Sequence, residues 1–265
     1  MLWLKKMFKV PKPIIGMCHL KPLPNDPSYN MSKGIKYIVE SAKNDIDVLQ
    51  KEGFHGILIS NEFSYPYSDN VTQITVATMA RIIGELRNSI EVPFGVECMY
   101  DAKATIDLTI ATDSDFYRIT LKSMSIFDIE YGGSELSKVF RYAYQNKVKN
   151  VRNIVNINAP INIAIANNNE IRLIKTIMSQ FSPDSISISA DLLHSLSEKN
   201  DTIFDTLKQT VVFCDGGCNI NNVHNIMKLS NGIVIGTDIK DDHQITNPVS
   251  STNARKFMNV FKNSN

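Results

Sequence analysis

Residues 211–240 read VVFCDGGCNINNVHNIMKLSNGIVIGTDIK. Two short apolar runs, VVFC and GIVIG, flank a helix-like stretch, NNVHNIMKLS. The first run stops on Asp215-Gly216-Gly217 and the second on Gly236-Thr237. Runs this short, β-branched and bounded by turn residues, read as fully buried strands. Two such strands joined by one helix make a parallel βα unit. Glycine at the strand ends lets backbone come close to another group, or permits a positive φ.

The same alternation runs back to the start of the chain. PIIGMCHL (13–20) precedes a helix marked by Ile35, Ile38, Val39, Ala42, Ile46 and Leu49. HGILIS (55–60), VPFGVECM (92–99), DFYRITL (115–121), RNIVNIN (152–158) and DSISISA (184–190) follow, each before a helical pattern. The helix after 184–190 is short, near 198–208, and SSTNARKFMNVF (250–261) closes the series. Eight such units in about 250 residues fit a (β/α)8 TIM barrel. The expectation is one α/β domain over 1–265, with residues 1–12 as an N-terminal extension. A doubly wound sheet is the rival, but it calls for fewer strands or a second domain, and no linker interrupts the pattern.

The chain has 265 residues, 43% of them hydrophobic, enough for a full core. With 28 basic and 27 acidic residues, bulk charge gives no reason to expect a nucleic acid polymer or an anionic membrane as partner. No apolar run is long enough to span a bilayer, so membrane insertion is not expected. MLWLKKMFKVPKP lacks the apolar region and cleavage site of a signal peptide, and a cytoplasmic location is expected. Cys18, Cys98, Cys214 and Cys218 match no zinc spacing, and neither a metal nor a cofactor is expected. Trp3, Leu4 and Phe8 are expected to cover the barrel's bottom or to join a subunit contact in a homo-oligomer.

Strand parity sorts the side chains. In DSISISAD, Ser185, Ser187, Ser189 and Asp191 share one face while Ile186, Ile188 and Ala190 share the other. The isoleucines belong against the helices, so the serines face the lumen. By the same parity Cys18, Cys98 and Cys214 face outward as small core residues. Ser185 and Asn156, lower in the lumen, can satisfy neighbouring polar groups or water. Asn158, Ser189 and Asp191 lie nearer the mouth, where a ligand would reach them.

In barrel enzymes a phosphate often sits in the loops after strands seven and eight, held by backbone N–H groups and a helix N-terminus. Gly216, Gly217, Gly236 and Thr237 are therefore the expected phosphate grip, with Asn219 as N-cap of the following helix and Lys240 as a charge partner. Two tight turns without a ligand are the alternative. For acid/base work the candidates are His19 at the end of strand one, Glu97 in strand three and Asp215 at the end of strand seven. Arg118 is the expected partner of Glu97, since a carboxylate inside a barrel is costly unless paired or functional. A purely structural Glu97–Arg118 pair stays open.

Several stretches resemble the BtpA family, which are barrel proteins named for a photosystem I biogenesis factor. They are KPIIGMCHLKPLPNDPSY, GILISN with the following Pro66-Tyr67, VPFGVECM, DFYRITL, GIVIGTDIK and NPVSSTNARKFM. The resemblance implies the barrel fold. It implies a changed rim too, because the family tends to carry Glu-Asn and a nearby Asp after strand two, where this chain has Ser60-Asn61 and Ser64. After strand five the family's Asp and Lys-His pair are absent from NINAPINIA, and after strand six Ser189-Ala190 replaces Thr-Gly. Either the substrate differs or catalysis has been lost. The reading is an enzyme acting on a phosphorylated sugar or nucleotide, by glycosyl-bond cleavage or transfer or a lyase or isomerase step. Asn61, Arg118, Asn158, Ser189 and Asp191 are the further substrate contacts. A non-catalytic binding or complex-assembly factor is the alternative.

Overall fold

The computed structural model describes residues 2–121, 135–157, 169–199, 207 and 210–263. Its strands are β1 (Ile14–His19), β2 (Gly56–Ser60), β3 (Phe94–Glu97), β4 (Phe116–Thr120), β5 (Arg152–Asn156), β6 (Ser185–Ile188), β7 (Val211–Asp215) and β8 (Gly232–Ile235). They pair in parallel in chain order, and β8 returns to β1 through Ile14 opposite Ile233, so the barrel closes. Around it lie α2 (Gly34–Lys51), α3 (Gln73–Leu86), α4 (Ala102–Thr112), α5 (Glu135–Gln145), α6 (Asn169–Phe181), α7 (Ala190–Lys199), α8 (Val223–Leu229) and α9 (Ser251–Lys262), with α1 (Leu2–Phe8) ahead of β1.

Local chemistry sets these limits. The α2 positions Ile38, Ala42, Ile46 and Leu49 form one buried stripe against the barrel. Asp101 caps α4, its carboxylate accepting the N–H of Ala104 at 2.9 Å, and Asp113 ends that helix in the left-handed region. Thr72 and Ser250 cap α3 and α9 in the same way.

Among the described residues, the buried hydrophobic side chains fall into two separate clusters, which map onto the two faces of the strands. The larger holds Ile57, Ile59, Val96, Ile186, Ile188 and Ile233 with the inner faces of the helices, and Cys18, Cys98 and Cys214 belong to it. Cys18 Sγ lies 3.8 Å from the Ala42 carbonyl of α2. The smaller cluster fills the lower lumen: Ile15, Leu58, Phe116, Ile154, Val211, Phe213 and Val234 meet Leu4 and Phe8 of α1. Phe8 packs edge-on against Phe116, ring centroids 5.7 Å apart. The N-terminal extension is thus a plug for the barrel's lower end, and the outward placement of the three cysteines agrees with strand parity.

Candidate functional site

Above the plug the lumen turns polar. Arg118 reaches from β4 across the barrel. Its Nε and Nη2 donate to Glu97 Oε2 at 2.6 and 2.5 Å, and its Nη1 to Asp215 Oδ2 at 2.7 Å. Thr120 Oγ1 donates to Glu97 Oε1 at 2.6 Å and accepts from Asn156 Nδ2 at 3.1 Å. Ser187 Oγ donates to Asp215 Oδ2 at 3.1 Å. Five strands, β3 to β7, each give one or two side chains to this layer. Glu97 has no solvent exposure, and Arg118 has 4%. Burial pushes the Glu97 carboxyl up, while Arg118 and the Thr120 hydroxyl pull it back. Burial disfavours the guanidinium's charge, but Asp215, Glu97 and Glu62 outweigh it and raise the Arg118 pKa.

On top of this layer lies a cavity of about 350 Å³. Its walls include both glycine loops, Gly216-Gly217 and Gly236-Thr237, together with His19, Glu62, Arg118, Asp215, Asp238 and His243. Gly216 and Gly217 have φ of 94° and 77°, a conformation that side chains resist. A Cβ on Gly236 would stand 3.0 Å from His19 Cε1, so a side chain there would crowd that histidine. Among the described residues, nothing accepts the backbone N–H groups of Gly216, Gly217, Thr237 or Asp238. His19 is 5% exposed, and its Nδ1 has no partner among the described residues. Burial, then Lys240 and Arg118, hold its pKa well below the ordinary histidine value, so the ring is neutral.

Two acids complete the wall. Glu62 sits just past β2, half-buried, with Ser60 Oγ donating to its Oε2 at 3.1 Å. Burial raises its pKa against the pull of Arg118 and Ser60. Asp238 lies in the loop after β8, where the Ile220 N–H and the His243 ring face its carboxylate, and burial raises its pKa as well.

The structure therefore brings His19, Arg118, Asp215, Gly216, Gly217, Gly236 and Thr237 to one cavity. Glu97 lies beneath that group, its oxygens taken by Arg118 and Thr120. Four expected contacts are placed elsewhere. Lys240 is not a charge at the mouth: it turns outward into the helix layer, 1% exposed, with Nζ 2.7 Å from Asp45 Oδ2 of α2. Asn61 is a structural tie, its buried Oδ1 accepting the Met99 N–H at 2.7 Å. Ser189 accepts the Leu192 N–H at 3.3 Å and so caps α7, on which Asp191 is exposed in the first turn. Asn219 is not the cap of α8: Asn222 precedes that helix, and Asn219 folds the turn before it. Asn158 lies outside the described residues, as does most of NINAPINIA. Asp238 and His243 are cavity residues not singled out from the sequence, and so is Glu62. Its one signal was a carboxylate two positions beyond a strand end.

The chain is 30% identical over 260 residues to the sgc region protein SgcQ of Escherichia coli K12, covering 97% of each. It is 22% identical over 262 residues to the photosystem I biogenesis protein BtpA of Synechocystis, covering 96% of this chain and 89% of that one. Among solved structures, phosphoribosyl anthranilate isomerase from Thermococcus kodakaraensis superimposes with a TM-score of 0.57 at 11% identity, covering 95% of this chain and 99% of that one, a likeness of fold. The model of the BtpA family matches residues 10–263, and the chain belongs to that family.

Proposed function

We propose that the barrel mouth binds a phosphorylated small molecule and performs acid–base chemistry on it. The observation that carries this reading is the convergence of both glycine loops, with four undonated N–H groups, on one cavity that also holds His19, Arg118, Asp215 and Glu62. Backbone amides in such a concavity suit phosphate oxygens, and the neutral His19 imidazole adds a further donor or acceptor. Asp238 at the rim sets a condition on the ligand: its carboxyl must carry a proton or be balanced by His243 when the phosphate is bound.

Beyond the phosphate, Asp215 and Glu62 divide the chemistry. Asp215, held between Arg118 and Ser187, steadies a centre that becomes positive. Glu62, whose burial favours the protonated form, gives its proton to a leaving oxygen or nitrogen. This pairing suits cleavage or transfer at a sugar carbon, or the related proton shifts of a lyase or isomerase. Glu97 acts through Arg118 as a positioning residue.

Calorimetric titration of wild type and Gly217→Val with ribose 5-phosphate tests the reading. A Cβ at Gly217 stands 3.3 Å from Ala190 Cβ and requires an unfavourable φ, so the loop must shift. Binding should weaken about 100-fold, while the strain at this positive φ lowers the melting temperature by a few degrees and leaves one cooperative unfolding transition. Equal affinity in the two proteins would exclude the glycine grip. A second reading, binding without turnover, is favoured by the saturation of Glu97 and Arg118 within the lumen network. It predicts that a tightly bound sugar phosphate is recovered unchanged after long incubation.

A further inference from the structure

The rim after β2 and β3 is aromatic. Tyr67 packs edge-on against Tyr100 with ring centroids 4.9 Å apart, and Tyr65 packs on Tyr67 at 5.8 Å. Phe63 meets the His19 ring edge at 5.9 Å and lies under Lys21 Nζ at 5.6 Å. The group is joined to the cavity at two points: the Tyr67 hydroxyl donates to the Glu62 carbonyl at 2.8 Å, and His19, on which Phe63 packs, is itself cavity wall. The Tyr67 and Tyr100 hydroxyls also feel the charge of Glu62.

Two features show that this wall is built. Tyr100 has a φ of 59°, a left-handed conformation rare for an aromatic residue and costly to hold. Tyr67 is held by its hydroxyl and by contact with the rings of Tyr65 and Tyr100. Both tyrosines stay partly exposed, and Tyr65 is 70% exposed. The wall rises from the ends of β2 and β3, while the phosphate loops follow β7 and β8; in strand order β3 stands opposite β7, and β1 separates β2 from β8. A ligand gripped at Gly217 and extending over Asp215 would carry its far end to Glu62 and these rings.

We infer that Tyr67 and Tyr100 form a ring-binding subsite of this cavity, and that its substrate is a phosphorylated compound bearing a flat heterocycle, of the nucleoside 5′-monophosphate class. The substrate class rests on the phosphate reading above; the ring subsite stands on the aromatic wall alone. Stacking on aromatic faces accepts any base. The Glu62 carboxyl beside the rings can accept from a ring N–H or, when protonated, donate to a ring nitrogen. A bare sugar phosphate would leave the wall unused.

Four probes decide it: inorganic phosphate, ribose 5-phosphate, uridine and uridine 5′-monophosphate. Each is titrated into wild type, Tyr67→Leu, Tyr100→Asn and Gly217→Val, with melting temperatures as the check on folding. Asparagine tolerates the left-handed conformation, so the Tyr100 variant removes the ring and keeps the turn. The nucleotide should bind at least tenfold tighter than ribose 5-phosphate, and each tyrosine variant should remove about tenfold of that excess without affecting phosphate. Gly217→Val should weaken the nucleotide and leave uridine unaffected. Equal affinity for nucleotide and ribose 5-phosphate, unmoved by the tyrosine variants, would overturn the ring subsite while the phosphate grip stands. Uridine binding that depends on Tyr100, with no response to any phosphate, would keep the ring subsite and end the phosphate reading. No binding of any probe would overturn both.

Discussion

At the lower end of the lumen, Leu4 and Phe8 meet Ile15, Phe116, Phe213 and Val234 in an apolar cluster. At the upper end, β1 turns Met17 and then His19 inward, and the next inward positions of the other three strands are Arg118, Asp215 and Gly236, around a cavity. One strand can hold both chemistries: β4 turns Phe116, Arg118 and Thr120 inward in order, β7 turns Val211, Phe213 and Asp215. The change from apolar to charged takes a single inward step. The lower layer stabilises by removing carbon from water, while the upper layer must satisfy every charge it buries. Their separation along the axis is what lets one barrel carry an apolar floor and a charged mouth.

The largest test of this contrast is Glu97→Gln. The change leaves Arg118 without one of its buried counter-charges, and breaking a buried pair costs about 3–5 kcal/mol. Denaturant unfolding should show that loss. If it is under about 1 kcal/mol, the upper layer is not a structural unit and the contrast fails. Leu4→Ala comes next. Leu4 has no solvent exposure, and truncation of such a leucine costs about 3 kcal/mol. Affinity for any mouth ligand should stay within about twofold; a larger change would mean that floor and mouth are coupled.

The smallest effect is in pH. The folded-state pKa values of His19 and of His55, whose Nδ1 accepts the Ile14 N–H at 3.1 Å, lie below the ordinary 6.5. The unfolded chain then binds the extra protons. Their contribution is complete above about pH 6.5 and is lost as pH falls below it, by at most about 1.4 kcal/mol per pH unit for one group. The raised carboxyls of Glu62 and Glu97 act in the other direction, so the informative quantity is the difference between wild type and His19→Gln. That variant should lose part of the acid-side fall in melting temperature. An unchanged fall would show that His19 is not held neutral.

The strands were legible because their signal is local. Alternation alone placed Cys18, Cys98 and Cys214 against the helices, and Glu97 beside Arg118. The two glycine stops pointed to one place because barrel geometry puts the ends of β7 and β8 side by side. Beyond a strand end, parity has no hold. Lys240 turns back to Asp45, and Ser189 is used by the turn of α7, because the direction of a loop side chain depends on its tertiary neighbours. Glu62 escaped for the same reason. It lies two residues past β2, and only the fold of residues 61–67 turns it toward Arg118.

The seat of α1 has a consequence for how the chain assembles. Leu4 and Phe8 rest on Phe116, Val211, Phe213 and Val234, all translated long after them. A seven-residue helix is marginal on its own, and contacts so distant in sequence close slowly. The segment must therefore wait, apolar and unseated, until β7 and β8 have been made. Its docking then marks the end of folding, and until that moment Leu4 and Phe8 are the residues that an unfinished chain offers to chaperones or to its own copies.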